Sequence, residues 1–246
     1  MTTKMDQTTT DQLEVLRNST RVAAEEVIFR RFPEKRPSEL NLLVDSTSQP
    51  ASLFHRSLVP SFTDATVHPP SEEQELKKRK LDSIQVNGLT ESHGPLYTGR
   101  VLHNSHLKNV HEVIKRECEE LQELCDKVIR WITFNMPKKE DGDNFGVEIQ
   151  EEALNELQRS QEAAYGIRDT ARTHSLERAK ICAKLLKYPN LEDYTLALQE
   201  HDEKQLYISR RYLIDLIHMY TVITDTIHKN IDKIRSPKGN NSIGLY

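Results

Sequence analysis

The sequence predicts an all-α protein, built as an elongated up-down four-helix bundle. Three observations carry that expectation. Seven of the ten Pro lie between Pro33 and Pro95, and from Val101 to Ser236 only three Gly and two Pro occur. An interior Pro costs a helix ~3 kcal/mol and a Gly ~1, so a stretch this poor in breakers suits long helices. Within it, apolar residues recur three and four apart, the spacing of one helical face. Finally, hydrophobic residues make up 36% of the 246. That is below the roughly 45–50% of a compact globular domain, as expected of a rod with a narrow core that also carries an unpacked segment.

Taken in order, the first helix is expected to start at Asp11, which with Glu14 approximates a capping box. Leu13, Leu16, Ala23, Val27 and Phe32 mark its apolar stripe, Pro33 and Pro37 break or kink it, and a short piece follows over Ser38 to Val44. This N-terminal segment spans residues 1–46. Residues 47–104 read as a disordered insert, rich in Ser, Thr, Pro, Gly and His and without lasting periodicity. The long-helix part covers 105–236. Its first helix, the second of the bundle, is clearest: Leu107, Val110, Ile114, Cys118, Leu121, Cys125, Val128 and Ile132 form a seam from Ser105 to Met136, and Pro137 ends it. A third helix begins just after Gly146 and runs towards Tyr188 before Pro189. Its stripe is Leu154, Leu157, Ala164, Ile167, Ala171, Ala179, Cys182 and Leu186, and its Ala-rich middle admits a close neighbour. The fourth, Leu191 to about Arg235, shows Leu213, Leu216, Tyr220, Ile223, Ile227, Ile231 and Ile234. Lys229, Lys233 and Arg235 in its last turns suit the helix dipole. Residues 237–246 form a flexible tail.

Composition excludes several function classes. No run of about 18 apolar residues exists to span a membrane, and the polar start from Met1 to Thr10 has no secretory apolar region. Three Cys without a CxxC argue against a disulfide scaffold or zinc ribbon and for a reducing compartment, cytosol or nucleus. A net charge of −4 argues against electrostatic nucleic-acid binding by the whole chain.

Each chemistry-bearing pattern has a plain alternative. Cys118 and Cys125, seven apart on one face, fit a metal or redox pair but suit two small core residues better. Asp215 with His218 and Asp225 with His228 resemble carboxylate–His ligand pairs. Both pairs lie on one helix some 15 Å apart, whereas dinuclear ligands converge from different helices. Solvated or interface polar pairs are expected. Lys77, Lys78, Arg79 and Lys80 form a basic run that reads as a nuclear import signal or as a solvated stretch. The loop 140–147 contains Asp141, Gly142, Asp143, Asn144, Phe145 and Gly146, and from Glu140 to Glu152 there are six acidic residues and no basic one. It serves as a helix–helix turn, yet a Phe at a bundle tip equally suggests a recognised surface. The end, Ile243-Gly244-Leu245-Tyr246, is an apolar, aromatic tail on a flexible tether that a partner's basic pocket could capture with its carboxylate. No nucleophile–base pair, phosphate loop or metal ligand set survives, so neither an enzyme nor a cofactor is expected.

Met136-Pro137 through Gln150 resembles the signature loop of the 11S (REG) proteasome activators. So do Lys187-Tyr188-Pro189, Glu192-Asp193-Tyr194, Asp202-Glu203-Lys204, Tyr207-Ile208-Ser209 and the terminal Leu245-Tyr246. The basic run continued by Leu81-Asp82 looks like the gamma type. Good resemblance covers roughly Ser105 to Tyr246. It implies four-helix protomers in a homo-oligomeric, seven-membered ring, seated on the outer-ring subunits of the 20S core proteasome. Such a ring opens the gate without ATP or ubiquitin and passes peptides or unfolded proteins through its channel. By resemblance, residues 141–146 are the activation loop, Ile243 to Tyr246 the docking tail and Lys77 to Lys80 the import signal, placing the protein in the nucleus and also the cytoplasm. Asp143 stands where the family usually has Asn, adding negative charge to a contact loop. From the residues alone, a tethering bundle that binds a partner helix is the other class, and a metal-binding ferritin-like enzyme a third.

Overall fold

A computed structural model describes residues 6–35, 40–55, 63–69, 99–138 and 144–238. Six α-helices lie among them: α1 (Gln7–Glu26), α2 (Phe32–Glu34), α3 (Leu40–Ser46), α4 (Ser105–Asn135), α5 (Phe145–Lys187) and α6 (Glu192–Arg235). At 1.5 Å per residue, α4 is about 46 Å long and α5 and α6 about 65 Å. The last three run up, down and up, with α1 packed against α4. Backbone pairing between extended segments is limited, among the described residues, to one antiparallel bridge, His68 with Arg100.

Asn104 starts α4 with two jobs. Its Oδ1 accepts from the Leu107 N–H at 3.1 Å, and its Nδ2 donates to Asp202 Oδ2 of α6 at 2.9 Å. All eight expected α4 seam residues are buried. Burial pushes the Cys118 and Cys125 thiols up to about 12, so both are inert core groups. On α6 the seam is buried from Leu213 to Ile234 except half-buried Ile231, and it extends upstream through Leu198, Asp202, Gln205 and Ser209.

Four expectations need correction. The first helix starts at Gln7, not Asp11, and Leu16 is exposed; Ala24, Val27, Ile28 and Phe32 carry its burial. At Pro33 the helix is distorted and not broken, while Pro37 lies outside the described residues. The chain passes through a π-helical turn, Val27–Arg31, in which the Phe32 N–H reaches back to the Val27 carbonyl. Widening the turn relieves the clash between a proline ring and the carbonyl four residues earlier. Pro33 also has no N–H for the Ile28 carbonyl, which instead accepts from His228 Nε2 of α6 at 2.9 Å. On α5, Ala179 is exposed and Cys182 and Leu186 are half-buried, while His174 and Arg178 occupy the seam. Lastly, the segment from Thr47 is not unpacked throughout. Successive turns lead to Phe54, which is buried in the core, and the stretches at 63–69 and 99–104 are held at the end of the bundle.

Of the two carboxylate–His pairs, the second is engaged elsewhere. Asp225 pairs with Lys229 at 2.6 Å and His228 is committed to Ile28. Among the described residues no three His, Cys, Asp or Glu are grouped to hold a metal.

Two buried polar networks tie the helices together. Lys35 inserts between Glu117 and Glu120 of α4, at 3.1 and 2.6 Å, and Arg31 adds a 2.6 Å contact to Glu120. At the other network, Asp202 is fully buried and accepts from Asn104, Thr63 (3.0 Å) and Arg178 Nε (3.1 Å), while Arg178 Nη1 donates to the Leu102 carbonyl at 2.9 Å. Around it, His111 meets His174 edge-on at 4.9 Å and His174 stacks on His201 at 4.7 Å. Gln205 Nε2 donates to His111 Nε2 at 3.2 Å, which requires a neutral ring protonated at Nδ1. Burial, reinforced by Lys115 for His111 and by His111 and His201 for His174, pulls these two rings down to about 4 and about 3.

Lys35→Ala leaves two carboxylates without their buried cation and is expected to lower stability by ~3–5 kcal/mol in urea unfolding. Arg159→Ala, which breaks an exposed pair with Glu156, should leave the midpoint unchanged. Because His111 and His174 bind protons less readily folded than unfolded, stability is full above the usual 6.5. It is lost as pH falls from there towards 4 and 3. Thermal melts should show that slope flattened in His174→Gln; an unchanged slope contradicts the assignment.

Candidate functional site

The end of the bundle where α4 and α6 finish and α5 begins holds the described part of the expected loop. Asn144 precedes α5, and its carbonyl accepts from the Val147 and Glu148 N–H groups at 2.9 and 3.0 Å. Asn144, Phe145 and Gly146 therefore form a fixed helix start. Asp141, Gly142 and Asp143 lie outside the described residues, as do Ile243, Gly244, Leu245 and Tyr246 and the basic run Lys77, Lys78, Arg79 and Lys80.

Gly146 has a structural reason to be glycine. It is buried against Pro237, and a Cβ placed there would overlap the Pro237 carbonyl and lie 2.6 Å from its Cα. The start of α5 thus touches the residue from which the C-terminal segment departs. Two side chains that sequence reasoning missed hold that departure in place. Asn135, the last residue of α4, donates through Nδ2 to the Ile234 and Arg235 carbonyls, both at 2.8 Å. Gln150 of α5, fully buried, donates to the same Ile234 carbonyl at 2.8 Å. These carbonyls end α6 and have no helical N–H to take them up. A signal was available in the sequence: Gln150 falls on the α5 seam between Val147 and Ala153, where a polar residue needs a specific partner.

Phe145 is 55% exposed, with Lys233 Nζ of α6 held 5.9 Å from its ring centroid, a cation–π contact that orients the ring without burying it. On the neighbouring flank, Arg235 lies over Phe29 at 5.0 Å and pairs with Glu25 at 3.0 Å, joining α1 to the same end of α6. The surface therefore combines a half-exposed aromatic and the acidic first turns of α5, including Glu148 and Glu152, with the basic last turns of α6. Among the described residues it holds no acid–base pair or nucleophile, and its form suits contact.

The bridge between His68 and Arg100, through hydrogen bonds of 2.8 and 2.9 Å, sits at the opposite end. There Gly99 packs on Leu186 near the end of α5. Both ends of the segment bearing Lys77 to Lys80 are thus anchored about one α5 length from Gly146.

Comparison with known proteins matches this arrangement to one family. A family model described as the C-terminal part of proteasome activator PA28 matches residues 100–244. The chain is 37% identical over 171 residues to human proteasome activator complex subunit 3, covering 69% of this chain and 67% of the relative. It is similar to the solved 11S subunit of the Plasmodium falciparum proteasome, PA28, at 30% identity and a TM-score of 0.72, covering 95% and 96% of the two chains. The activator PA26 from Trypanosoma brucei, solved with the yeast 20S proteasome, shares the fold at 14% identity and a TM-score of 0.59, covering 94% and 97%. The chain belongs to the PA28, or 11S, family of proteasome activators and is of its gamma type.

Proposed function

We propose that this protein is a non-enzymatic activator of the 20S core proteasome that works as a homo-oligomeric, seven-membered ring. Residues 237–246 form the docking tail, with Ile243 to Tyr246 entering pockets between outer-ring subunits, and the loop 140–147 turns the gate open without ATP or ubiquitin. Peptides and unfolded proteins pass through the ring's channel, and Lys77 to Lys80 direct the protein to the nucleus. The observation that supports this most is the contact of Gly146 with Pro237. A tail that leaves beside the loop lets both reach one surface of a larger particle at once.

The physics sets conditions on the assembly. A four-residue tail buries little area and loses freedom on docking, so a single copy binds weakly; several arrayed rigidly gain avidity of ~10²–10⁴. A closed ring needs two different complementary flanks. Apolar side chains stand exposed at Val15 (69%) and Val22 (62%) on α1 and at Phe29 (45%) in the π-helical turn that follows, seven residues apart, and on α6 at Tyr207 and Ile214. These flanks supply the two faces. Opening the gate then requires the loop to bind the open proteasome better than the closed one, so docking and activation are separable.

Adding the pure protein to latent core proteasomes with a fluorogenic peptide and no ATP should raise hydrolysis. Deleting Ile243 to Tyr246 is expected to abolish co-sedimentation with proteasomes while light scattering still reports a ring; retained co-sedimentation sinks the docking role. Phe145→Ser should keep co-sedimentation but lose most of the stimulation, and parallel loss of both would deny the loop a separate activating part.

A further inference from the structure

At the end opposite Gly146, an open cavity of about 790 Å³ lies between α4, the second half of α5 and the 99–104 segment. That is the size of pockets that hold nucleotide-sized molecules. One wall consists of the small side chains of Ala171, Ala179 and Ala183. The other is cationic, with Arg100 and Lys108; Arg178 and Lys115 also line the cavity but are neutralised by Asp202 and Glu112 at 3.1 and 2.8 Å. Two residues on the lining are more than nine-tenths buried and keep a nitrogen without a hydrogen-bond partner among the described residues: Arg178 Nη2 and His174 Nδ1. Arg178 spends Nε on Asp202, which meets its charge, and Nη1 on Leu102; Nη2 and His174 Nδ1 lie beneath the cavity surface, not on it. A metal is the wrong occupant, since His174 and His201 stack face to face and their lone pairs do not converge.

We propose that this cavity binds a small organic phosphate of nucleotide size, with its phosphoryl oxygens at Arg100 and Lys108 and its body against the alanine wall. The assignment does not depend on the proteasome role. Its amphipathic lining separates it from a plain anion patch, because the alanines leave flat, apolar room beside the cations. His174 adds a signature. Facing it are His111 of α4 (with Lys115 and Glu112 alongside), Arg178 of α5, and His201 and Asp202 of α6. Burial, reinforced by His111, His201 and Arg178 and only partly offset by Asp202, keeps His174 uncharged, and an incoming anion adds counter-charge that favours uptake of a proton.

Isothermal titration of the full chain with ATP, without divalent metal, is expected to show one saturable site per chain, tighter near pH 6 than near pH 7.5 and with net proton uptake. Arg100→Glu and Lys108→Glu, both exposed rim changes that spare the buried network, should each weaken binding at least about tenfold. Arg172→Glu, exposed on α5 and paired with Asp169 outside the cavity, should not. Absence of binding, or equal weakening by Arg172→Glu, overturns the site. Inorganic tripolyphosphate or an acidic hexapeptide binding as tightly as ATP overturns the ligand class.

Discussion

One missing side chain governs the geometry of this protein. At Gly146 the start of α5 lies against the Pro237 backbone at a distance no Cβ would permit. Helices α5 and α6 are joined at the far end by a four-residue connection, 188–191, and touch again here, so two antiparallel rods must match in length. They have 43 and 44 residues. One residue added to either would slide its end by ~1.5 Å and turn it by ~100°, pulling Gly146 off Pro237. Asn135 and Gln150 reinforce the match by holding the last carbonyls of α6 from two sides. Loop and tail thus leave from a common, rigid base.

The two ends of the rod are built on different chemistry. Between them runs a narrow apolar seam, with Leu121, Leu157, Leu216 and Tyr220 buried in its middle. Towards the 99–104 segment the seam turns polar, with His111, His174, Arg178, Asp202 and Gln205 taking positions that apolar residues hold elsewhere. Burying such groups is tolerable only with nearly complete pairing. Asp202 meets that demand with donors from three other segments of the chain. The network therefore pins the 63–69 and 99–104 segments, α5 and α6 to one carboxylate.

Legibility followed the range of the interactions. The α4 seam was readable residue by residue, because each member meets the same neighbours at every turn and nothing interrupts the pattern. The end of α5 was not. Ala179 looks like core by spacing, yet it lines open space, and Arg178 looks like surface yet is buried because Asp202 lies across the turn, 24 residues on. The first helix misled in a similar way: Leu13 and Leu16 fit an apolar stripe, but α4 covers only the part from Ala24 onward. Of the candidate loop, the sequence marked Phe145 and Gly146, while their partners Lys233 and Pro237 belong to another helix and its exit.

The sequence by itself determined that four long helical stretches form, where Pro137, Pro189 and Pro237 stop them, and which face of α4 and of the second half of α6 is core. Those features rest on residues one to four positions apart. Tertiary structure alone decided that the helix survives Pro33, since the Ile28 carbonyl is rescued by His228, 200 residues away. It decided that Gly146 must lack a side chain, since Pro237 comes to it from the other end of a 44-residue helix. Contacts across such separations depend on how whole rods are docked, and no local periodicity records that.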